Sequence, residues 1–231
     1  AIIPLMIEFD PKKHSYINSL TREKYISATT LIGKFKIPFD VEKHSKRVAD
    51  KEGVSQEEIK ERWKTNNKAA CDYGTSIHLV MEDWLHDKTV SSDDYDNYVK
   101  PIESIWEPDR KKIEPEKRLW LHEHKVAGTT DVFENNGKYF NLYDFKTNKA
   151  FNFTNQYGGY MLNPLSHLPE CQYTTYSLQL SLYAYMQTIL TGQLVGELAC
   201  FYYDREAKVW TKYNTPYMKR EVIDMLEAYS K

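Results

Sequence analysis

Gly128-Thr129-Thr130-Asp131-Val132-Phe133-Glu134-Asn135-Asn136-Gly137-Lys138-Tyr139-Phe140-Asn141-Leu142-Tyr143-Asp144-Phe145-Lys146 has the pattern of a β-hairpin with acidic residues on both arms. Asn136-Gly137 is a strong two-residue turn signal, because both residues tolerate positive φ. That turn pairs Phe133 with Phe140 and Asp131 with Leu142, which makes Asp131 and Asp144 diagonal neighbours across the ladder. Side chains alternate between faces, so Leu142, Asp144 and Lys146 share a face with Asp131. Phe133 and Phe140 lie there too. Two carboxylates and a lysine on an apolar face are costly to bury without compensation. A divalent cation supplies it, since Mg²⁺ takes one or two carboxylates together with waters and phosphate oxygens. A solvated Asp–Lys ion pair is the plainer reading, and the hairpin alone does not choose between them.

Working outward, strands over 116–123, 126–134 and 138–146 make a meander. Before it, a helix near 74–85 carries Ile77, Met81, Trp84 and Leu85 as an apolar stripe. Gly74 and His78 fall at the edge of that stripe, four residues apart, and Gly74 permits close approach of a strand or phosphate. His78 is either a core histidine or an imidazole ligand beside carboxylates. After the meander, a helix over about 174–190 shows Leu178, Leu182, Tyr185 and Ile189 beside Tyr183, Met186 and Leu190. Gln179 sits within that apolar surface and needs hydrogen-bond partners if buried. Either a polar site or a loop backbone provides them.

Nearer the N-terminus, 5–27 predicts a hairpin turning at Asp10-Pro11, and Ser27 and Thr29 precede Leu31-Ile32 as a helix start. Lys34, Lys36, Lys43, Lys46 and Arg47 make a locally basic stretch, a solvated face or a phosphate contact. Ser55-Gln56-Glu57-Glu58 fits a capping box that starts a helix with a break near Asn66-Asn67 and an end near His86. A helix over 91–112, a hairpin around Asp204-Arg205-Glu206 and a C-terminal helix from about Tyr217 complete the expectation. Residues 149–172 lack periodicity and read as a long loop, either a packed surface loop or a path for single-stranded DNA with Tyr157 and Tyr160 as stacking candidates. The whole of 1–231 is expected to form one domain. Residues 1–70 elaborate it, 71–215 are its core and 216–231 its last helix.

Hydrophobic residues make up 41% of the 231, enough for a sizeable core, and no apolar run is long enough to span a membrane. The start of the chain lacks the basic lead of a signal peptide. Cys71, Cys171 and Cys200 form no Cys-x-x-Cys pair, which argues against zinc and against a four-cysteine iron–sulfur cluster, and points to reduced thiols of a cytoplasmic protein. The net charge of −2 gives no global attraction for nucleic acid, so phosphate binding must come from a local basic patch or bound metal.

Gly74-Thr75-Ser76-Ile77-His78, Gly128-Thr129-Thr130-Asp131, Asp144-Phe145-Lys146 and Gln179-Leu180-Ser181-Leu182-Tyr183 fall in that order over about 110 residues. Together they resemble the PD-(D/E)XK nuclease superfamily, in its RecB-like branch with a Gln-x-x-x-Tyr motif. The N-terminal hairpin and Ser27-Ala28-Thr29 are similar to phage and mitochondrial DNA exonucleases of that branch. The resemblance implies an α/β fold with a restriction-endonuclease-like αβββαβ core and a central mixed sheet. It implies a metal-dependent deoxyribonuclease using Mg²⁺ or Mn²⁺, held by His78, Asp131, Asp144 and the Phe145 carbonyl. Lys146 would position or help deprotonate the attacking water. Gln179 and Tyr183 would orient the site, and Gly74, Thr75, Ser27, Thr29 and Tyr183 would contact DNA, single-stranded or at a duplex end. Glu116 resembles a frequent upstream acidic position. The implied setting is DNA recombination, repair or replication in a phage or bacterium. An endonuclease, a catalytically silent DNA-binding module and a hydrolase of small phosphoesters remain as alternatives.

Overall fold

The structure is a computed structural model and describes residues 7–231; Leu5 and Met6, which open the predicted hairpin, lie outside them. Asp10 turns the chain back, its Oδ1 accepting the amides of Lys12 and Lys13 at 2.9 and 3.2 Å. Strand β1 (Ile7–Asp10) therefore folds onto β2 (Ser15–Asn18), and β3 (Lys24–Ser27) follows antiparallel to it. Ser27 caps helix α1 (Ala28–Gly33) by accepting the Thr30 amide at 3.1 Å. Helix α2 (Val41–Glu52), which the sequence reading missed, is capped by Asp40 accepting the Lys43 amide.

Two helical expectations are corrected. Helix α3 runs unbroken over Gln56–Leu85, capped by Ser55, with no interruption at Asn66-Asn67. Both asparagines are exposed and cost only tenths of a kcal/mol each in a helix, about 0.7 at most, while Lys68 and Asp72 bridge the next turn at 2.6 Å. The predicted helix over 91–112 stops early: α4 (Ser92–Asp94), a π-helical turn (Tyr95–Val99) and α5 (Lys100–Glu103) end it. Pro108 disfavours helical geometry at Glu107, and Trp106 packs against Phe201 with centroids 4.9 Å apart.

The meander forms as β4 (Ile113–Leu121), β5 (Val126–Asn135) and β6 (Tyr139–Lys146). Its turn is displaced by one residue from Asn136-Gly137 to Gly137-Lys138. The Asn136 amide donates to the Tyr139 carbonyl at 2.9 Å, and Gly137 holds φ +79. Asn135 draws the turn there, its Oδ1 accepting from the Gly137 amide at 3.0 Å and from Gln193. Phe133 consequently pairs with Leu142 and Asn135 with Phe140. The shift is two residues, so every side chain keeps its predicted face, and Asp131 comes level with Asp144, one step beyond the Val132–Tyr143 pair.

Helix α6 (Gln172–Thr191), β7 (Leu194–Asp204), β8 (Val209–Asn214) and α7 (Lys219–Tyr229) follow the loop. The eight strands form one mixed sheet, with β3–β5 and β6–β7 parallel. One face is covered by α1, α6 and α7, around Leu31, Leu142, Leu178, Leu182 and Met225. The other is covered by α3 and α5, around Ile77, Met81, Ile102, Val132 and Phe145. Ile189 and Leu190, expected on the buried side of α6, are exposed near its end.

The sheet splits at one place. β4 pairs along one edge of β5, from Ile113–Glu134 to Leu121–Val126. The opposite edge receives β3 at Val126 and Ala127 and β6 only from Val132 onward. Between them, Gly128 to Asp131 carries no strand partner on that edge among the described residues. Tyr183 fills part of the gap, its ring lying where a Cβ on Gly128 would clash with Cε1. Gly128→Ala should therefore cost about 1–3 kcal/mol through overpacking, read as a lower urea midpoint. Tyr183→Leu in the same chain should recover part of the loss. An unchanged midpoint for Gly128→Ala would show that the tyrosine does not press on this strand.

Candidate metal centre

Beyond Val132 and Tyr143 the two strands part, and side-chain carboxylates replace the ladder. The Asp131 amide donates to Asp144 Oδ1 at 3.1 Å, and the Phe145 amide donates to Asp131 Oδ2 at 2.8 Å. The Thr130 hydroxyl adds a 3.4 Å bond to Asp144 Oδ1. On the other side of β5, Glu116 falls opposite Asp131, between the Pro115–Val132 and Lys117–Thr130 pairs, with φ +52. Three neighbouring strands thus place acidic side chains in a row. His78 closes the group from α3, with Nδ1 3.5 Å from Asp131 Oδ1.

Charge distribution follows from this crowding. Burial opposes ionisation of Asp131, yet the adjoining His78 and Lys146 hold its carboxyl below the usual range. Burial and the Asp131 charge push Asp144 up. Burial and Asp131 likewise raise Glu116 to about 8. His78 is desolvated, which works against its charge, but the Asp131 carboxylate outweighs that and raises it to about 9. One ligand atom each from His78, Glu116 and Asp131 lies within 4.8 Å of the others. One imidazole with hard carboxylate oxygens fits a divalent cation.

The expected set of His78, Asp131 and Asp144 is therefore only partly what converges. Glu116 joins the trio, while Asp144 adjoins Asp131 and is 2% exposed. Phe145 contributes its amide to Asp131 and buries its ring in the opposite core.

Lys146 lies on the same side, its Nζ 3.4 Å from Asp144 Oδ2 and donating to Gln179 Oε1 at 2.8 Å. Gln179 passes the network on through Nε2 to the Tyr183 hydroxyl at 3.1 Å. The buried amide is satisfied by the polar site, not by a loop backbone. Tyr176 is a residue the sequence reading overlooked: Lys146 Nζ sits 4.3 Å from its ring centroid. Its signal was helical spacing, since Tyr176, Gln179 and Tyr183 recur at three and four residues along one face of α6. Cys200 pairs with Asp144 across β6 and β7, and burial pushes its thiol up to about 12.

A cleft of about 300 Å³ adjoins this group, lined by Ser27, Thr29, Glu116, Arg118, Gln179 and Tyr183 among others. It unites the N-terminal motif with the α6 motif. Gly74 lies away from that cleft, where a Cβ would meet Thr147 Oγ1 at 3.1 Å, and Thr75 is exposed on α3.

Neither a protein-family model nor a curated relative matches the chain. Among solved structures, the protein SSO0001 aligns with a TM-score of 0.42 at 14% identity, over 92% of this chain and 78% of that one. A protein from Eubacterium rectale, described as a candidate exonuclease, aligns with a TM-score of 0.40 at 10% identity, over 88% and 77%. Likeness this distant carries no weight for function, which rests on the chemistry of the site.

Gln179→Leu should leave the Lys146 ammonium and the Tyr183 hydroxyl short of a partner, costing about 1–3 kcal/mol in urea unfolding. Stability equal to the parent's would mean that the amide is not what satisfies the buried lysine.

Proposed function

We propose that the chain is a divalent-metal-dependent nuclease that hydrolyses phosphodiester bonds in DNA, of the PD-(D/E)XK type its motifs resemble. The observation that carries this reading is the split between β5 and β6. There Asp144 accepts the Asp131 amide and Asp131 accepts the Phe145 amide, with His78 and Glu116 beside Asp131 and Lys146 beside Asp144. His78, Glu116, Asp131 and Asp144, with the Phe145 carbonyl, would hold Mg²⁺ or Mn²⁺. A cation so held supplies charge neutralisation at a phosphodiester and acidifies a coordinated water.

The chain's own residues do the rest. Burial works against the charge on Lys146, but Asp144 outweighs it and keeps the ammonium above its ordinary pKa. Lys146 is then a fixed cation, suited to orienting a water and a phosphate oxygen more than to removing a proton. Gln179 and Tyr176 hold that ammonium in place. Ser27, Thr29 and Arg118, at the wall of the adjoining cleft, offer hydroxyls and a guanidinium to the phosphate backbone.

Purified protein should cleave linear DNA with Mg²⁺ or Mn²⁺ and lose activity in excess EDTA. Asp144→Ala and Lys146→Ala should each lower turnover by at least about 100-fold. Chelator-resistant cleavage, or a fully active Lys146→Ala, would overturn the assignment. Exonuclease action, which the resemblance implies, requires that end-labelled linear DNA is degraded while closed circles resist.

The pH dependence has a definite sign. His78 near 9 and Glu116 near 8 both carry protons at neutral pH, and a metal must displace them. Mn²⁺ affinity should rise with pH up to about 9. Calorimetry in buffers of different ionisation enthalpy should show proton release near pH 7. Binding without proton release would place the ion elsewhere.

A further inference from the structure

Away from the carboxylate cluster, Phe39 and residues of α2 and α3 gather aromatic rings in one place. Phe39 stacks on His44 with centroids 4.6 Å apart and 10° between planes, and Trp63 lies 5.8 Å from Phe39. With Arg47, Val48 and Tyr157 they line a notch of about 270 Å³. Phe39 is 63% exposed and Tyr157 89%. A single exposed ring is ordinary, but a cluster gathered in one notch marks a contact surface.

Tyr157 is held out by its own turn. Asn155 Oδ1 accepts the Tyr157 amide at 2.9 Å, while Asn155 Nδ2 is tied to the Glu170 carbonyl at 2.8 Å. The ring stands on the rim between the notch and a second cavity of about 350 Å³, lined by Lys36, Asn152, Gln156, Gln172 and Tyr176 among others. Tyr176 is the residue whose ring faces Lys146. Tyr157 thus borders both the notch and the polar cavity, and Tyr176 borders that cavity and the lysine. Tyr160, the other stacking candidate, lines a separate cavity with His167 and takes no part.

In a chain whose net charge is −2, the notch carries Arg47 and the adjoining cavity carries Lys36 together with Glu170. Residues 34–51 carry six cations (Lys34, Lys36, Lys43, Lys46, Arg47 and Lys51) against three acids, Asp40, Glu42 and Asp50. Among the described residues, Lys34, Lys36, Lys43, Lys46 and Arg47 enter no ion pair. Two acids of α2 are engaged by α3 instead, Glu42 by Lys60 and Glu52 by Arg62, and Asp40 caps α2 by accepting the Lys43 amide. Exposed rings interleaved with free cations suit bases that can leave their stack and phosphates that accompany them. Duplex bases stack on each other and cannot use such rings.

We propose that this notch binds single-stranded nucleic acid, with bases stacked on Phe39, Trp63 and Tyr157 and phosphates met by Arg47 and, in the adjoining cavity, by Lys36. The onward course of the strand to Lys146 rests on the nuclease reading; the notch itself does not. Anisotropy of a labelled oligothymidylate of about 15–20 nucleotides, measured in EDTA so that nothing is cleaved, tests it. The parent should bind the single strand more tightly than a duplex of equal length. Phe39→Ala and Trp63→Ala should each weaken binding by about five- to a hundredfold, Trp63→Phe should retain most of it, and Arg47→Gln should lower the salt slope by about one. Equal affinity for duplex, or parental affinity in both alanine variants with intact circular dichroism, would overturn the notch. If those variants bind like the parent while the parent cleaves DNA, the notch falls and the nuclease stands. If they lose binding and the parent never cleaves, the nuclease falls and the notch stands.

Discussion

Where β5 and β6 separate, two carboxylates take over from the backbone ladder, and the rest of the site follows from that substitution. Strand edges must satisfy their amides somewhere. Here Asp144 accepts the Asp131 amide and Asp131 accepts the Phe145 amide, so each aspartate stitches the strand that carries the other. Hydrogen bonds to an ionised acceptor are stronger than neutral ones, but these bring two carboxylates into a nearly closed space. Removing such charges from water costs several kcal/mol each, on the order of the stability of a small domain, unless positive groups and donors compensate. Lys146, His78 and the Thr130 hydroxyl are those groups.

His78 has a particular part in this balance. With its pKa raised to about 9, the imidazole is cationic at neutral pH and neutralises Asp131 when nothing else does. A divalent cation bound there would compete with that proton for the same carboxylate, so the fold would not be left with an uncompensated charge in either condition. Glu116 works the same way: raised to about 8, it holds a proton that a cation would release. The cluster tolerates its own acidity because two of its members can be proton-loaded.

The helices explain why the opening stays open. α6 presents Tyr176, Gln179 and Tyr183 from one face. Tyr183 presses against the bare backbone of Gly128, the point where β5 has no strand on that edge. A larger residue at 128 would drive the ring out, and with it the bond that fixes Gln179 and, through it, Lys146. Much of this was legible in the sequence. The alternation of the hairpin put Asp131, Asp144 and Lys146 on one face, and a glutamine within an apolar helix surface announced a polar partner. What was not legible depends on distant residues. Gln193 and Asn135 together moved the turn by one residue, changing the Asp131–Asp144 relation from diagonal to level. Glu116 could be noted as acidic but not placed, because only the β4–β5 register sets it opposite Asp131. The continuity of α3 was hidden by two asparagines whose low propensity is outweighed by the length of helix on either side.

A chain of slightly negative net charge is an unlikely-looking ligand for a polyanion only if charge is averaged over the molecule. At about 0.15 M salt, interactions fade beyond roughly 8 Å, so a phosphate responds to the groups immediately around it. Three acids meet in the strand cluster, and two acids of α2, Glu42 and Glu52, are occupied by bridges to α3. Among the described residues, the lysines and arginine of 34–47 enter no ion pair, and Arg47 lines the notch that bears the exposed rings. A divalent ion in the carboxylate cluster would act in the same sense, turning an acidic site into one that attracts phosphate. Local pairing, and not net charge, decides which surface a nucleic acid would meet.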